Sequence, residues 1–121
     1  MKSCIVADDS PVIRLLARRL LEAAGYHVRE AADGAKALES CAEGMPDVLL
    51  LDWRMPVMNG LECMSRLRRM PGGAAPRVVF CSVETAPDMI RQALDAGANE
   101  FIMKPFDGEI LVSKFALAGV Q

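Results

Sequence analysis

The chain holds one histidine, one tryptophan and one tyrosine, and its four cysteines stand far apart. Cys4, Cys41, Cys63 and Cys81 form no C-x-x-C pair, and none has a histidine beside it. This argues against a zinc site or a disulfide framework and leaves buried thiols in a reducing compartment. No run approaches the roughly 18–20 apolar residues of a membrane-spanning helix. A secretory leader is missing too, because Met1–Ala7 reaches Asp8-Asp9 before a useful apolar stretch builds up. A cytoplasmic protein with no membrane partner is expected. An excess of positive charge is also absent: 14 Lys+Arg against 16 Asp+Glu leave a net charge of −2, no overall footprint for nucleic acid. The lone His27 falls in a predicted strand away from the acids and reads as structural or exposed.

What is present is length and apolar content enough for one core. At 121 residues, 52% of them hydrophobic, residues 1–121 are expected to form a single domain. Lys2–Ala7 reads as a strand, and Ser10-Pro11 as an N-cap followed by a proline at the first helical position. Ile13, Leu16, Ala17, Leu20 and Ala24 then share one helical face, with Arg14, Arg18 and Glu22 on another. The cycle continues with strand 26–31, helix 35–43, strand 47–51, helix 60–69, strand 77–81, helix 86–96, strand 101–103 and a last helix from Gly108. Glycines 25, 44 and 97 stop three of the helices. Strands alternating with helices of this length predict βαβ crossovers and a parallel sheet. Asp47–Leu51 is the nearly continuous apolar strand of a sheet covered on both faces.

Such sheets gather functional groups beyond the carboxyl ends of their strands. The first strand delivers Asp8 and Asp9 there, the third Asp52, the fourth Ser82 and the fifth Lys104. Crowded carboxylates repel: at about 4–5 Å and an effective dielectric near 20, each charged pair costs on the order of 3–4 kcal/mol. A hard divalent cation relieves that, and Mg²⁺ suits a few carboxylates with retained waters. A lysine adds positive charge for an anionic guest. Carboxylate nucleophile, Mg²⁺, ammonium and hydroxyl are the parts that accept a phosphoryl group.

On these residues the chain resembles a CheY-like receiver domain (response regulator) of two-component signalling. The resemblance rests on Asp8-Asp9-Ser10, VLLLD ending at Asp52, Met55-Pro56-x-Met58-x-Gly60, Ser82, Ala96-Gly97-Ala98 and Lys104-Pro105-Phe106. It implies a flavodoxin-like (βα)5 fold, an α/β doubly wound five-stranded parallel sheet in the order 2-1-3-4-5. It also implies Asp52 as phosphoacceptor, and Mg²⁺ held by Asp9, Asp52 and the backbone carbonyl of Arg54, with Asp8 orienting a metal-bound water. Lys104 and Ser82 would engage the phosphoryl oxygens, Ser82 and Phe101 would form the switch, and the Lys104–Pro105 peptide would be cis. Arg54, Val83 and Glu84 stand where residues tune phosphoryl lifetime and donor access. Arg14, Arg18 and Arg19 read as a solvated helix face, with a phosphate-rich ligand or partner surface as the alternative.

Competing classes fit worse. A haloacid dehalogenase-type phosphatase would want a second acid two residues after its nucleophile, where Arg54 stands. A flavodoxin would want a Ser/Thr/Gly-rich loop after the first strand, and Asp8-Asp9 would repel its phosphate. The Gly72-Gly73 loop leads into a strand, so it is no P-loop. The expectation is a stand-alone response regulator, since no DNA-binding or enzymatic output domain follows Gln121. It would catalyse its own phosphorylation from a sensor histidine kinase or phosphotransfer protein. It would signal to a protein target through its fourth helix, fifth strand and fifth helix, as a monomer or phosphorylation-dependent dimer, with chemotaxis one setting. The competitor is a phosphorylation-independent adaptor receiver.

Overall fold

The computed structural model describes residues 1–83 and 86–120. Five strands and five helices alternate: β1 (Ser3–Ala7), α1 (Pro11–Ala23), β2 (His27–Ala31), α2 (Gly34–Glu43), β3 (Val48–Asp52), α3 (Gly60–Arg68), β4 (Arg77–Ser82), α4 (Pro87–Asp95), β5 (Glu100–Met103) and α5 (Gly108–Leu117). All strand pairs are parallel, in the order β2-β1-β3-β4-β5. The expected fold class holds. Predicted boundaries move by a residue or two, and two of the gains are functional: β3 runs on to include Asp52 and β4 to include Ser82.

Period-two alternation splits the core into two layers. Cys4, Val6, Val48, Leu50, Val79, Cys81 and Ile102 face one side, where Ala17 and Leu21 of α1 and Leu111 and Phe115 of α5 cover them. Ile5, Ala7, Leu49, Leu51, Val78, Phe80 and Phe101 face the other, under α2, α3 and α4. Every residue of β3 is buried, which is why its sequence shows no polar alternation. All four thiols are free and buried, as expected. Among the described residues, no helix is long and apolar enough to cross a membrane.

One predicted face is corrected. On α1 the buried residues are Ala17 and Leu21, whereas Leu16 is 40% exposed and Ala24 is exposed. The paired leucines of VIRLLARRLLEA allow two apolar stripes a few tens of degrees apart. Docking on the sheet selects the one centred on Ala17. Two of the three arginines of the same helix are engaged, while Arg19 is exposed: Arg14 donates to the carbonyl of Asp8 (2.7 Å) and to Glu30, and Arg18 to Glu22 and Glu30. Glu30 thus neutralises part of the surface that was read as an alternative phosphate patch.

Side-chain caps start α1, α2, α3 and α5, through Ser10, Asp33, Asn59 and Asp107. The loop between β3 and α3 is less comfortable. Val57 there has φ +71° while its side chain is 86% exposed. A β-branched residue in the left-handed region is strained by about 1–2 kcal/mol, and this side chain recovers little by burial. Val57→Asn is therefore expected to stabilise the protein by about 1 kcal/mol in urea denaturation. An unchanged or lower midpoint at equal slope would speak against that strain.

Candidate functional site

The carboxyl ends of β1, β3, β4 and β5 meet at one edge of the sheet. Register sets their relative heights: Ala7 pairs with Leu51, Asp52 with Cys81, and Ser82 with Met103. Asp8 follows Ala7 directly, and its amide donates to the carbonyl of Ala31 at 3.1 Å. Three polar residues are buried here, Asp8, Asp52 and Ser82, at 1%, 6% and 3% exposure.

Asp8 is held at both carboxylate oxygens. Oδ1 accepts the amide of Ser10 at 2.9 Å, the start of the α1 cap, and Oδ2 accepts the Lys104 ammonium at 2.6 Å. Nζ of Lys104 also lies 3.3 Å from Oδ1 of Asp52. One cation thus bridges two buried carboxylates. Lys104 is positioned by its own backbone, whose amide donates to the carbonyl of Ser82 at 2.8 Å, and its peptide bond to Pro105 is cis.

The electrostatics follow from this crowding. Burial, then the charge of Asp8, pushes the Asp52 carboxyl up to about 6; Lys104 opposes the shift, and Asp9 adds a smaller push. Burial works against the charge on Lys104, but its hydrogen bond to Asp8 and the neighbouring acids outweigh it, and its pKa is raised. Two carboxylates and one ammonium leave a net negative, oxygen-rich pocket. Its hard donors fit Mg²⁺, with the carboxylate of Asp9 exposed beside them.

The other nominated residues divide by position. Phe101 is buried, its ring 6.3 Å from that of Trp53, which in turn packs edge-on against Phe80 at 5.1 Å. Arg54 and Val83 are exposed at the edge, Val83 by 71%. Glu84 lies outside the described residues. His27 is exposed on β2 and takes no part.

One neighbour was missed. Sγ of Cys81 and oxygens of Asp8 and Asp52 all lie within 4.8 Å of one another, so a thiol floors the pocket. Spacing along the chain offers no signal for it. The register of β3 against β4, which seats Cys81 opposite Asp52, does.

The model of the response regulator receiver domain family matches residues 4–116. The chain belongs to that family. This receiver is 33% identical over 106 residues to the chemotaxis protein CheY of Thermotoga maritima, covering 87% of each chain. It is 36% identical to the transcriptional regulatory protein KdpE of Mycobacterium tuberculosis, covering 98% of this chain but 51% of that one. Among solved structures, the chemotaxis protein CheY4 of Vibrio cholerae superposes with a TM-score of 0.92 at 32% identity, covering 100% of this receiver and 99% of that chain. The family supports a phosphoacceptor role in two-component signalling, in which receivers meet histidine kinases or phosphotransfer proteins. Receivers generally bind Mg²⁺ at an acidic pocket, and the donor set here is consistent with that.

Proposed function

We propose that Asp52 accepts a phosphoryl group from a sensor histidine kinase or phosphotransfer protein in a Mg²⁺-dependent reaction, and that the chain signals through protein contacts governed by that modification. The observation that carries this reading is the Lys104 ammonium lodged between the buried carboxylates of Asp8 and Asp52. A cation already stored beside the nucleophile can transfer its hydrogen bonds to incoming phosphoryl oxygens with little rearrangement.

An Asp52 oxygen attacks phosphorus in line; the O–P bond forms as the P–N bond to the donor imidazole breaks, and the imidazole leaves with a proton. With its pKa near 6, Asp52 is mostly ionised at neutral pH and available as nucleophile. Ser82 and Lys104 take the phosphoryl oxygens. Asp9, Asp52 and the backbone carbonyl of Arg54 would hold Mg²⁺, with Asp8 orienting a water on it. When bound, the ion supplies positive charge opposite the transferring oxygens. Arg54 and Val83, exposed at this edge, tune access of water and donor, and Glu84, two residues after Ser82 in the sequence, is given the same role from its position in the chain.

The movement of Ser82 and Phe101 would be read on the α4–β5–α5 face. An apolar groove supports that choice, lined by Ile90, Phe101, Met103, Pro105 and Ile110, with Met103 52% exposed. The likeness to chemotaxis proteins makes chemotaxis a natural setting, in the cytoplasm.

Phosphoryl uptake from acetyl phosphate or a purified kinase should occur with Mg²⁺ and stop on chelation. A phosphorylation-independent adaptor would take up none in either condition. Uptake undiminished after chelation would remove the metal from the mechanism.

A further inference from the structure

A cation on α1 holds the backbone of a residue in the pocket. Nη1 of Arg14 donates to the carbonyl of Asp8 at 2.7 Å, and Nε to Oε1 of Glu30 at 3.2 Å. Helical geometry brings it there. Arg14 sits one turn past the N-cap, its amide bonded to the carbonyl of Ser10, and helical side chains lean back toward the N-terminus. Glu30 stands two residues past Val28 on β2 and so shares its face, the one that α1 covers. The Arg14 side chain is 17% exposed, so the contact is largely sheltered from water.

The carbonyl that Arg14 holds belongs to the Asp8–Asp9 peptide. On the other side of Asp9, the amide of Ser10 donates to Oδ1 of Asp8 at 2.9 Å. Asp9 itself is exposed, so its backbone rather than packing places its carboxylate. That backbone is tied on both sides, by Arg14 before it and by the Asp8 carboxylate after it. We infer that Arg14 is a positioning residue for the metal: by fixing the Asp8–Asp9 peptide, it preorganises the carboxylate that Asp9 offers to Mg²⁺. This rests on the reading of Asp9 and Asp52 as ligands of that ion.

Charge alone gives the opposite sign. A guanidinium beside an acidic pocket repels a divalent cation, so its removal would tighten binding. Glu30 offsets that repulsion. It also accepts Arg18 at 2.8 Å, and Arg18 pairs with Glu22 at 3.3 Å, so two arginines alternate with two glutamates and their charges cancel. What Arg14 adds is geometric: its hydrogen bond orders the Asp9 backbone before the ion arrives, which lowers the entropy cost of binding.

The test is urea unfolding of the full chain across a series of Mg²⁺ concentrations. The midpoint in chelator reports what Arg14 contributes to the fold, and the rise with Mg²⁺ reports affinity by mass action. Arg14→Met is expected to raise the Mg²⁺ dissociation constant about fivefold, the scale of ordering one side chain on binding. Arg14→Lys keeps the charge but loses the fork, so its affinity should fall between the two. It also serves as the second variant if the methionine protein does not fold. Arg18→Met removes the same charge from the same cluster without touching Asp8, and should leave the affinity unchanged. Unchanged or tighter Mg²⁺ binding in folded Arg14→Met, wild-type affinity in Arg14→Lys, or an equal loss in Arg18→Met overturns the proposal. If wild type gains no stability from Mg²⁺, the metal reading fails and the inference falls with it. If wild type and Arg14→Met gain equally, the metal reading stands and only the role of Arg14 falls.

Discussion

Asp52→Asn is expected to abolish phosphoryl uptake and at the same time to stabilise the metal-free protein. The first effect follows from removing the nucleophile: an amide oxygen does not attack phosphorus at a useful rate, and Asp8 is already committed to Ser10 and Lys104. The second follows from burial. The folded pKa of Asp52 is about 6, against an ordinary value of 3.8. The native state therefore binds more protons than the unfolded state between these values, and stability falls as pH rises through that window. Above pH 6 the charged carboxylate is destabilising by roughly 2–3 kcal/mol, part of which is relaxed by water reaching the pocket mouth. Well below pH 3.8 both states are protonated and the penalty is gone. The asparagine variant should gain about 2 kcal/mol over wild type at pH 8 in chelator, and the gain should shrink toward pH 4. Urea midpoints across that range check the sign. A difference that grows on acidification, or an asparagine protein less stable at pH 8, would contradict the electrostatic account.

Gly60→Ala is expected to destabilise by about 3 kcal/mol and to impair phosphoryl uptake together. Gly60 opens α3 where the chain folds back over the end of β3, its amide donating to the carbonyl of Trp53 at 3.0 Å. A Cβ there would overlap the carbonyl oxygen of Asp52, lie 2.8 Å from Cε1 of Phe80 and 3.2 Å from Cα of Trp53. Two of these obstacles are backbone, so no rotamer change relieves them. Overpacking of this kind typically costs about 1–3 kcal/mol, and the upper end applies where the wall is rigid. The displaced atoms belong to the nucleophile's own residue, which couples stability to chemistry. Gly44 supplies the control, with extended backbone and open space around its would-be Cβ. Gly44→Ala should be nearly neutral. If both alanine variants denature within about 0.5 kcal/mol of wild type, the tight approach at Gly60 is not real.

The strand ends that carry the site were legible because each is marked twice. An apolar run ends on a polar residue, and a cap, proline or glycine follows, as at Ala7-Asp8 with Ser10-Pro11 and at Leu51-Asp52 with Pro56 and Gly60. That is enough to send Asp8, Asp52, Ser82 and Lys104 to one edge, since parallel crossovers leave no other place for them. What was hidden depends on register and on choice among near-equal local options. The stripe of α1 that docks is decided by packing around Ala17, because Leu16 and Leu21 are equally apolar. Cys81 enters the pocket only through its pairing with Asp52 across β3 and β4. Composition filed it with the other buried thiols. The strain at Val57 was silent for a similar reason: Met55-Pro56-x-Met58-x-Gly60 marks the loop, while the backbone angle at its variable position belongs to a tight turn in which the Met58 amide donates to the carbonyl of Pro56 at 2.7 Å.

The central claim is that phosphate enters on Asp52 and nowhere else. It is tested most directly by phosphorylating wild type with Mg²⁺ and acetyl phosphate, then reducing with labelled borohydride. That step converts an aspartyl phosphate to homoserine and marks the residue for peptide sequencing. The account predicts label at Asp52 alone and none in the Asp52→Asn protein. Label at Asp8, Asp9 or another residue, or equal incorporation by the asparagine variant, would contradict it.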